Sequence, residues 1–123
     1  MQAPQQKIYE IRDPVHVSIP FDLVERKILD HPFVQRLRRI RQLGFAHIPF
    51  PGATHTRFSH SIGVMHLAGQ VFDIIFRDQP FVSRQRYQQL RYCIRLAALL
   101  HDVGHGPYSH SVEFAMPMVS TLP

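Results

Sequence analysis

The chain has 123 residues, 45% hydrophobic and 19% charged, which is enough for one core and too few for two ordinary domains, so a single domain spanning 1–123 is expected. Its ten prolines are spread along the chain without a polar low-complexity tract, which excludes a disordered class, and no apolar run offers a membrane span. The start Met1-Gln-Ala-Pro lacks the charged and apolar regions of a secretion signal, so the expected location is the cytoplasm, with no membrane partner. A formal charge of +5 and a pI near 10.0 favour anionic partners and do not choose among nucleotides, nucleic acid and acidic surfaces.

In chain order, the β-branched residues Ile8, Ile11, Val15, Val17 and Ile19 surround Asp13-Pro14 and predict two short extended pieces about a turn within residues 1–19. After Pro20 the pattern turns helical, with Leu23, Ile28 and Leu29 in a short helix that ends at His31-Pro32. Phe33, Leu37 and Ile40 then recur at helical spacing with Arg36, Arg38, Arg39 and Arg41 between them, predicting a basic amphipathic helix stopped by Gly44. Four cations on one short helix repel one another, so an anion nearby competes evenly with a solvated face as their explanation.

The segment Pro49-Phe-Pro-Gly52 predicts a loop. Beyond it, Phe58, Ile62, Met65, Val71, Phe72, Ile75 and Phe76 predict a long, central, largely buried helix. A second long helix follows Asp78-Gln-Pro80, with Tyr87, Leu90, Ile94, Ala97 and Ala98 on one side and Arg84, Arg91 and Arg95 on the other. The single Cys93 cannot form an internal disulfide and is expected to pack as a small buried thiol in that helix. Gly104, Gly106 and Pro107 end the helix, and Ser109 would cap a further short one carrying His110 and Glu113. Residues 114–123, with two prolines and no charges, form a divergent or truncated tail.

Six of the nine histidines fall in two clusters, His55, His60 and His66 in one and His101, His105 and His110 in the other. For His31, His47 and His66 an ordinary hydrogen-bonded role is the expectation. His101-Asp102 differs because it closes the apolar run Leu96-Ala-Ala-Leu-Leu100, where a carboxylate needs a metal ion or a cation to offset its desolvation. Adjacent helical residues point about 100° apart. The pair therefore needs a ligand from another element, and His60 is the natural supplier. Imidazole and carboxylate donors suit a borderline divalent metal with an open position for water.

The stretches His55-Thr-Arg-Phe-Ser-His60-Ser-Ile-Gly63-Val and His101-Asp-Val-Gly-His-Gly-Pro-Tyr-Ser-His110 together closely resemble the HD-domain phosphohydrolases. Asp13 to His16, Gln35 to Arg38, Gln42 to Gly44 and Phe50 to Ala53 extend the resemblance to the deoxynucleoside triphosphate triphosphohydrolase branch, over roughly residues 8–113. The resemblance implies an all-α helical bundle, incomplete at its C-terminus, with a short β-hairpin near the N-terminus and a helical metal-site core over 20–113. It implies a divalent metal (Fe, Mn, Mg, Zn, Co or Ni) held by His60, His101 and Asp102, placing the α-phosphate of a dNTP and its attacking water for release of inorganic triphosphate.

By the same resemblance, Arg57 would contact the triphosphate, His105, His110 and Glu113 would handle protons with His110 as general acid, and Gln42 and Leu43 would lie near the deoxyribose. Asp30, Gln35 and Arg38 match an activator-nucleotide site of one regulated subgroup. The family's fourth metal ligand is an aspartate on a later helix, and this sequence has no aspartate after Asp102. The missing helices would leave apolar faces uncovered, which predicts a homo-oligomer or poor solubility. The family's Asp-Pro-Val-His stretch continues with glycine, whereas Val17 stands here, so a different turn is expected. Two further functions stay open, an HD phosphohydrolase acting on another nucleotide or phosphoester, and an inactive remnant binding nucleotides or single-stranded nucleic acid through Arg36, Arg38, Arg39 and Arg41.

Overall fold

A computed structural model describes residues 7–79 and 83–108. Tyr9–Asp13 (β1) and Val17–Phe21 (β2) form an antiparallel hairpin in which Ile11 faces Ile19 and Asp13 faces Val17. The Asp13 side chain shapes the turn, its Oδ1 accepting the backbone N–H groups of Val15 and His16 at 3.0 and 2.8 Å. The turn does not avoid the left-handed region as Val17 led us to expect: Val17 itself sits at φ 65°. The hairpin pairing and the Asp13 bonds hold the backbone there despite the β-branched side chain.

Asp22 starts α1 (Leu23–Leu29) with a reciprocal capping box, accepting from the N–H of Glu25 while the Glu25 carboxylate accepts from the N–H of Asp22. The predicted break follows at His31, which caps α2 (Pro32–Gln35). The continuous basic helix to Gly44 does not form. The chain passes from α2 into a 3-10 turn, Arg36–Arg39, and Ile40 is extended at φ −109°, ψ 117°. The cause is long-range, since the Ile40 carbonyl accepts from Arg57 N and the Gln42 N–H donates to the His55 carbonyl, tying 40–42 to 55–57. Gly44, at φ 54°, opens a second 3-10 turn, Gly44–His47, rather than closing a helix.

Two long helices follow, α3 (Arg57–Phe76) and α4 (Arg84–Leu100), packed along each other. The core collects Ile19, Phe21, Leu29, Val34, Leu37, Ile40, Phe58, Ile62, Met65 and Leu99. Only the first half of α3 is buried as expected. Val71, Ile74 and Ile75 are more than half exposed, because the hairpin and the first 3-10 turn cover only the helix's beginning.

The face assignment on α4 is also corrected. The side turned inward is the row Tyr87, Arg91, Arg95 and Leu99, while Leu90, Ile94 and Ala97 are exposed, and Cys93 is exposed rather than a packed thiol. Arginines can line the buried side because each meets a carboxylate. Arg91 clasps Asp73 of α3 with two bonds of 2.7 and 2.9 Å, and Arg95 clasps Glu25 of α1 at 2.7 and 3.1 Å. Arg95 also donates to the Pro20 carbonyl at 2.9 Å, joining β2, α1 and α4 at one guanidinium. Its side chain lies against Gly69, where an added Cβ would come within 3.0 Å of Nη1. Among the described residues no helix is long and apolar enough to cross a membrane.

Candidate metal centre

Asp102, three residues past Leu99 on the inward row of α4 and just beyond the helix end, reaches the first turn of α3. That turn is fixed by Thr56, which caps α3 in a reciprocal box with Ser59. The cap and the backbone bond from Arg57 to Ile40 orient Arg57 and His60 toward the end of α4.

Asp102 is buried at 6% exposure, and Nη1 of Arg57, itself 2% exposed, donates to its Oδ2 at 2.7 Å. Nε2 of His60 lies 3.8 Å from Oδ2, while Nε2 of His101 and of His105 lie 3.4 and 3.6 Å from Oδ1. The two Nε2 atoms of His60 and His101 are 3.3 Å apart. One ligand atom each from His60, His101 and Asp102 lies within 4.8 Å of the others.

This donor set fits a divalent metal. Nδ1–H of His101 donates to the Ala98 carbonyl at 2.6 Å, which leaves its Nε2 lone pair directed at the cluster, the tautomer a ligating imidazole needs. Burial pushes the His60 imidazole below its ordinary value, aided by His101, Arg57 and His55 and opposed by Asp102, so it holds a free lone pair near neutral pH. Burial alone would raise the Asp102 carboxyl, but the positive fields of His101 and Arg57 and the Arg57 hydrogen bond hold it below the usual range. A carboxylate and two imidazole Nε2 atoms turned toward one another are the donor types a divalent metal takes.

The remaining expected site residues fall as follows. His105 joins the cluster, its backbone N–H bonded to the Asp102 carbonyl at 3.1 Å, while His110 and Glu113 lie outside the described residues. Gln42 is partly buried with its Oε1 enclosed, and Leu43 is half exposed. Gln35 donates to the Leu29 carbonyl and accepts from Arg38, whose guanidinium lies 3.7 Å over the Phe58 ring, and Asp30 pairs with Arg26.

A cavity of about 470 Å³ opens beside His60, lined by Asp13, His16, His55, Ser59 and Gly63 among others. The sequence reading left His16 out of the site. Its Nε2 approaches Gly63 so closely that a Cβ there would lie 3.2 Å away, and it packs edge-on against His66. The signal was the Asp-Pro-Val-His stretch, whose first and last residues shape the hairpin turn and this cavity.

Residues 57–121 match the HD domain model. The deoxynucleoside triphosphate triphosphohydrolase SAMHD1 of Bos taurus is 43% identical over 109 residues, 89% of this chain and 18% of that protein. The human SAMHD1 is 44% identical over 103 residues, 84% of this chain and 16% of that protein. A crystal structure of a hypothetical protein from Aquifex aeolicus superposes with a TM-score of 0.74 at 34% identity, covering 90% of this chain and 27% of that one. The chain thus spans less than a fifth of the length of these SAMHD1 relatives. With the metal-ligand cluster inside the matched segment, the chain belongs to the HD domain family.

Proposed function

We propose that this chain carries the metal-binding part of a phosphohydrolase that splits dNTPs, dGTP among them, into deoxynucleoside and inorganic triphosphate. The observation that carries the reading is the convergence of His60, His101 and Asp102 from the two ends of α3 and α4, with ligand atoms within 4.8 Å of one another. A divalent metal held there supplies Lewis acidity toward a phosphate oxygen and activates water near neutral pH.

The chain's own residues divide the remaining work. Arg57 neutralises Asp102 through Nη1, and its guanidinium is of the type that suits a triphosphate oxygen. His105, beside the same carboxylate, holds or moves a proton at its Nε2, with His110 and Glu113 as its expected partners in proton transfer. Gln42 and Leu43 face the sugar, and Asp30, Gln35 and Arg38 take an activator nucleotide. The exposed row Leu67, Val71 and Ile75 favours association through α3, as a homo-oligomer or with a further segment of the family fold.

Three ligands bind a metal more weakly than four, so the assay is run in excess Mn²⁺. Each dNTP is incubated with the chain and the products are separated by ion chromatography. The reading expects metal-dependent inorganic triphosphate that disappears in His101→Ala. Orthophosphate or pyrophosphate in its place, or turnover only of monophosphates or cyclic nucleotides, would move the chain to another phosphoester.

A further inference from the structure

The four arginines that follow α2 divide into two kinds. Arg36 donates to the Val103 carbonyl at 2.6 Å, and Arg38 bonds Gln35 and stacks on Phe58, so both already have partners within the chain. Arg39 and Arg41 are exposed, and among the described residues neither side chain has a hydrogen bond or an ion pair.

Both line a separate cavity of about 280 Å³, together with Ile40, Gly44, Phe45, His47, Pro107 and Tyr108, and no acidic residue is among these. His47 is fixed at its rim, Nδ1–H donating to the Gly44 carbonyl at 3.1 Å, which leaves Nε2 as an acceptor. Phe45 and Tyr108, 59% and 48% exposed, stack with ring centroids 5.0 Å apart and planes 20° apart. The pairing of Arg41 with Thr56 and the left-handed Gly44 fix the backbone that carries these groups.

We propose that this cavity is a further nucleotide site, distinct from the metal centre and from the residues assigned to an activator nucleotide, in which Arg39 and Arg41 hold a phosphate and the Phe45–Tyr108 pair stacks on the base. Two guanidiniums without a counter-charge attract each other only through a shared anion, and phosphate oxygens accept from both. An aromatic pair exposed beside them gives a planar base a surface worth covering. None of these residues overlaps the His60, His101 and Asp102 cluster, so the site stands independently of the catalytic reading.

The test uses the chain treated with EDTA and carrying His101→Ala, which removes the catalytic metal from consideration. Binding of a fluorescent mant-dGDP and of a fluorescein-labelled ten-residue oligothymidylate is followed by anisotropy at fixed salt. Arg39→Gln with Arg41→Gln is expected to lose about tenfold or more in affinity. Arg84→Gln with Arg86→Gln, an equal loss of charge on the exposed start of α4, is expected to stay within roughly threefold. Phe45→Ala is expected to weaken mant-dGDP while leaving inorganic triphosphate binding unchanged. Binding of both probes identifies a mononucleotide as sufficient, and binding of the oligonucleotide alone identifies a single strand as the source of the same chemistry. Equal losses in the two double variants, or no binding of either probe, would overturn the proposal.

Discussion

Replacing Arg95 by methionine isolates the strongest structural claim made for α4, that its inward face is ionic. Glu25 and Arg95 are 3% and 5% exposed, and removing the cation leaves the Glu25 carboxylate buried with, among the described residues, the Asp22 N–H as its remaining hydrogen-bond donor. Breaking one partner of such a pair costs about 3–5 kcal/mol. A domain of this size has about 6–18 kcal/mol in all, at roughly 0.05–0.15 kcal/mol per residue. With an m-value near 2 kcal/mol/M, the urea midpoint followed by far-ultraviolet circular dichroism should fall by about 2 M. Adding Glu25→Leu removes the stranded charge and should recover most of that loss. About 1–2 kcal/mol should stay missing for the Pro20 carbonyl and the Asp22 N–H, which lose their partners. A single variant as stable as the wild type, or a double variant less stable than the single one, would refute the argument.

Val17→Gly should stabilise the hairpin by up to about 1 kcal/mol, relief of a β-branched residue from the left-handed region outweighing the added freedom of glycine in the unfolded chain. Val17 is 69% exposed, so little burial is lost, and a lower thermal midpoint would contradict the reading. His66 has its imidazole pushed below the ordinary value, chiefly by burial and then by His16. The folded state therefore favours neutral His66 more than the unfolded state does, and its contribution is complete above about pH 6.5 and lost as the pH falls through the lower folded value. Urea midpoints at pH 7.5 and 5.5 should differ less in His66→Gln than in the wild type, by at most about 1.4 kcal/mol per pH unit for one proton, and an unchanged difference would count against it.

What the sequence made legible was local or carried by long motifs. The turn at Asp13-Pro14, the break at Pro32, the loop at 49–52 and the two long helices follow from backbone chemistry and periodicity. The three metal-ligand candidates were identifiable because their surroundings, not the His-Asp pair, carry the family pattern. The misreadings have long-range causes. Phe33, Leu37 and Ile40 have helical spacing, yet pairing of 40–42 with 55–57 ends the helix after Arg39. On α4, counting arginines as solvent-facing turned the helix the wrong way, because the carboxylates that admit Arg91 and Arg95 to the interior lie 18 and 70 positions away. The same error left Cys93 and Ile94 on the wrong side. Asp102 was expected to need a metal or a cation, and Arg57 is the cation that meets it.

The central claim is that His60, His101 and Asp102 together hold one divalent metal. The chain, stripped with EDTA and dialysed, is titrated with Mn²⁺ by calorimetry, and its metal content after desalting is measured by mass spectrometry. One equivalent is predicted, with His60→Ala and His101→Ala each weakening binding by about tenfold or more. His101 is exposed and His60 one-third exposed, so neither change should unfold the chain. No binding, or binding indifferent to both substitutions in folded protein, would contradict the account.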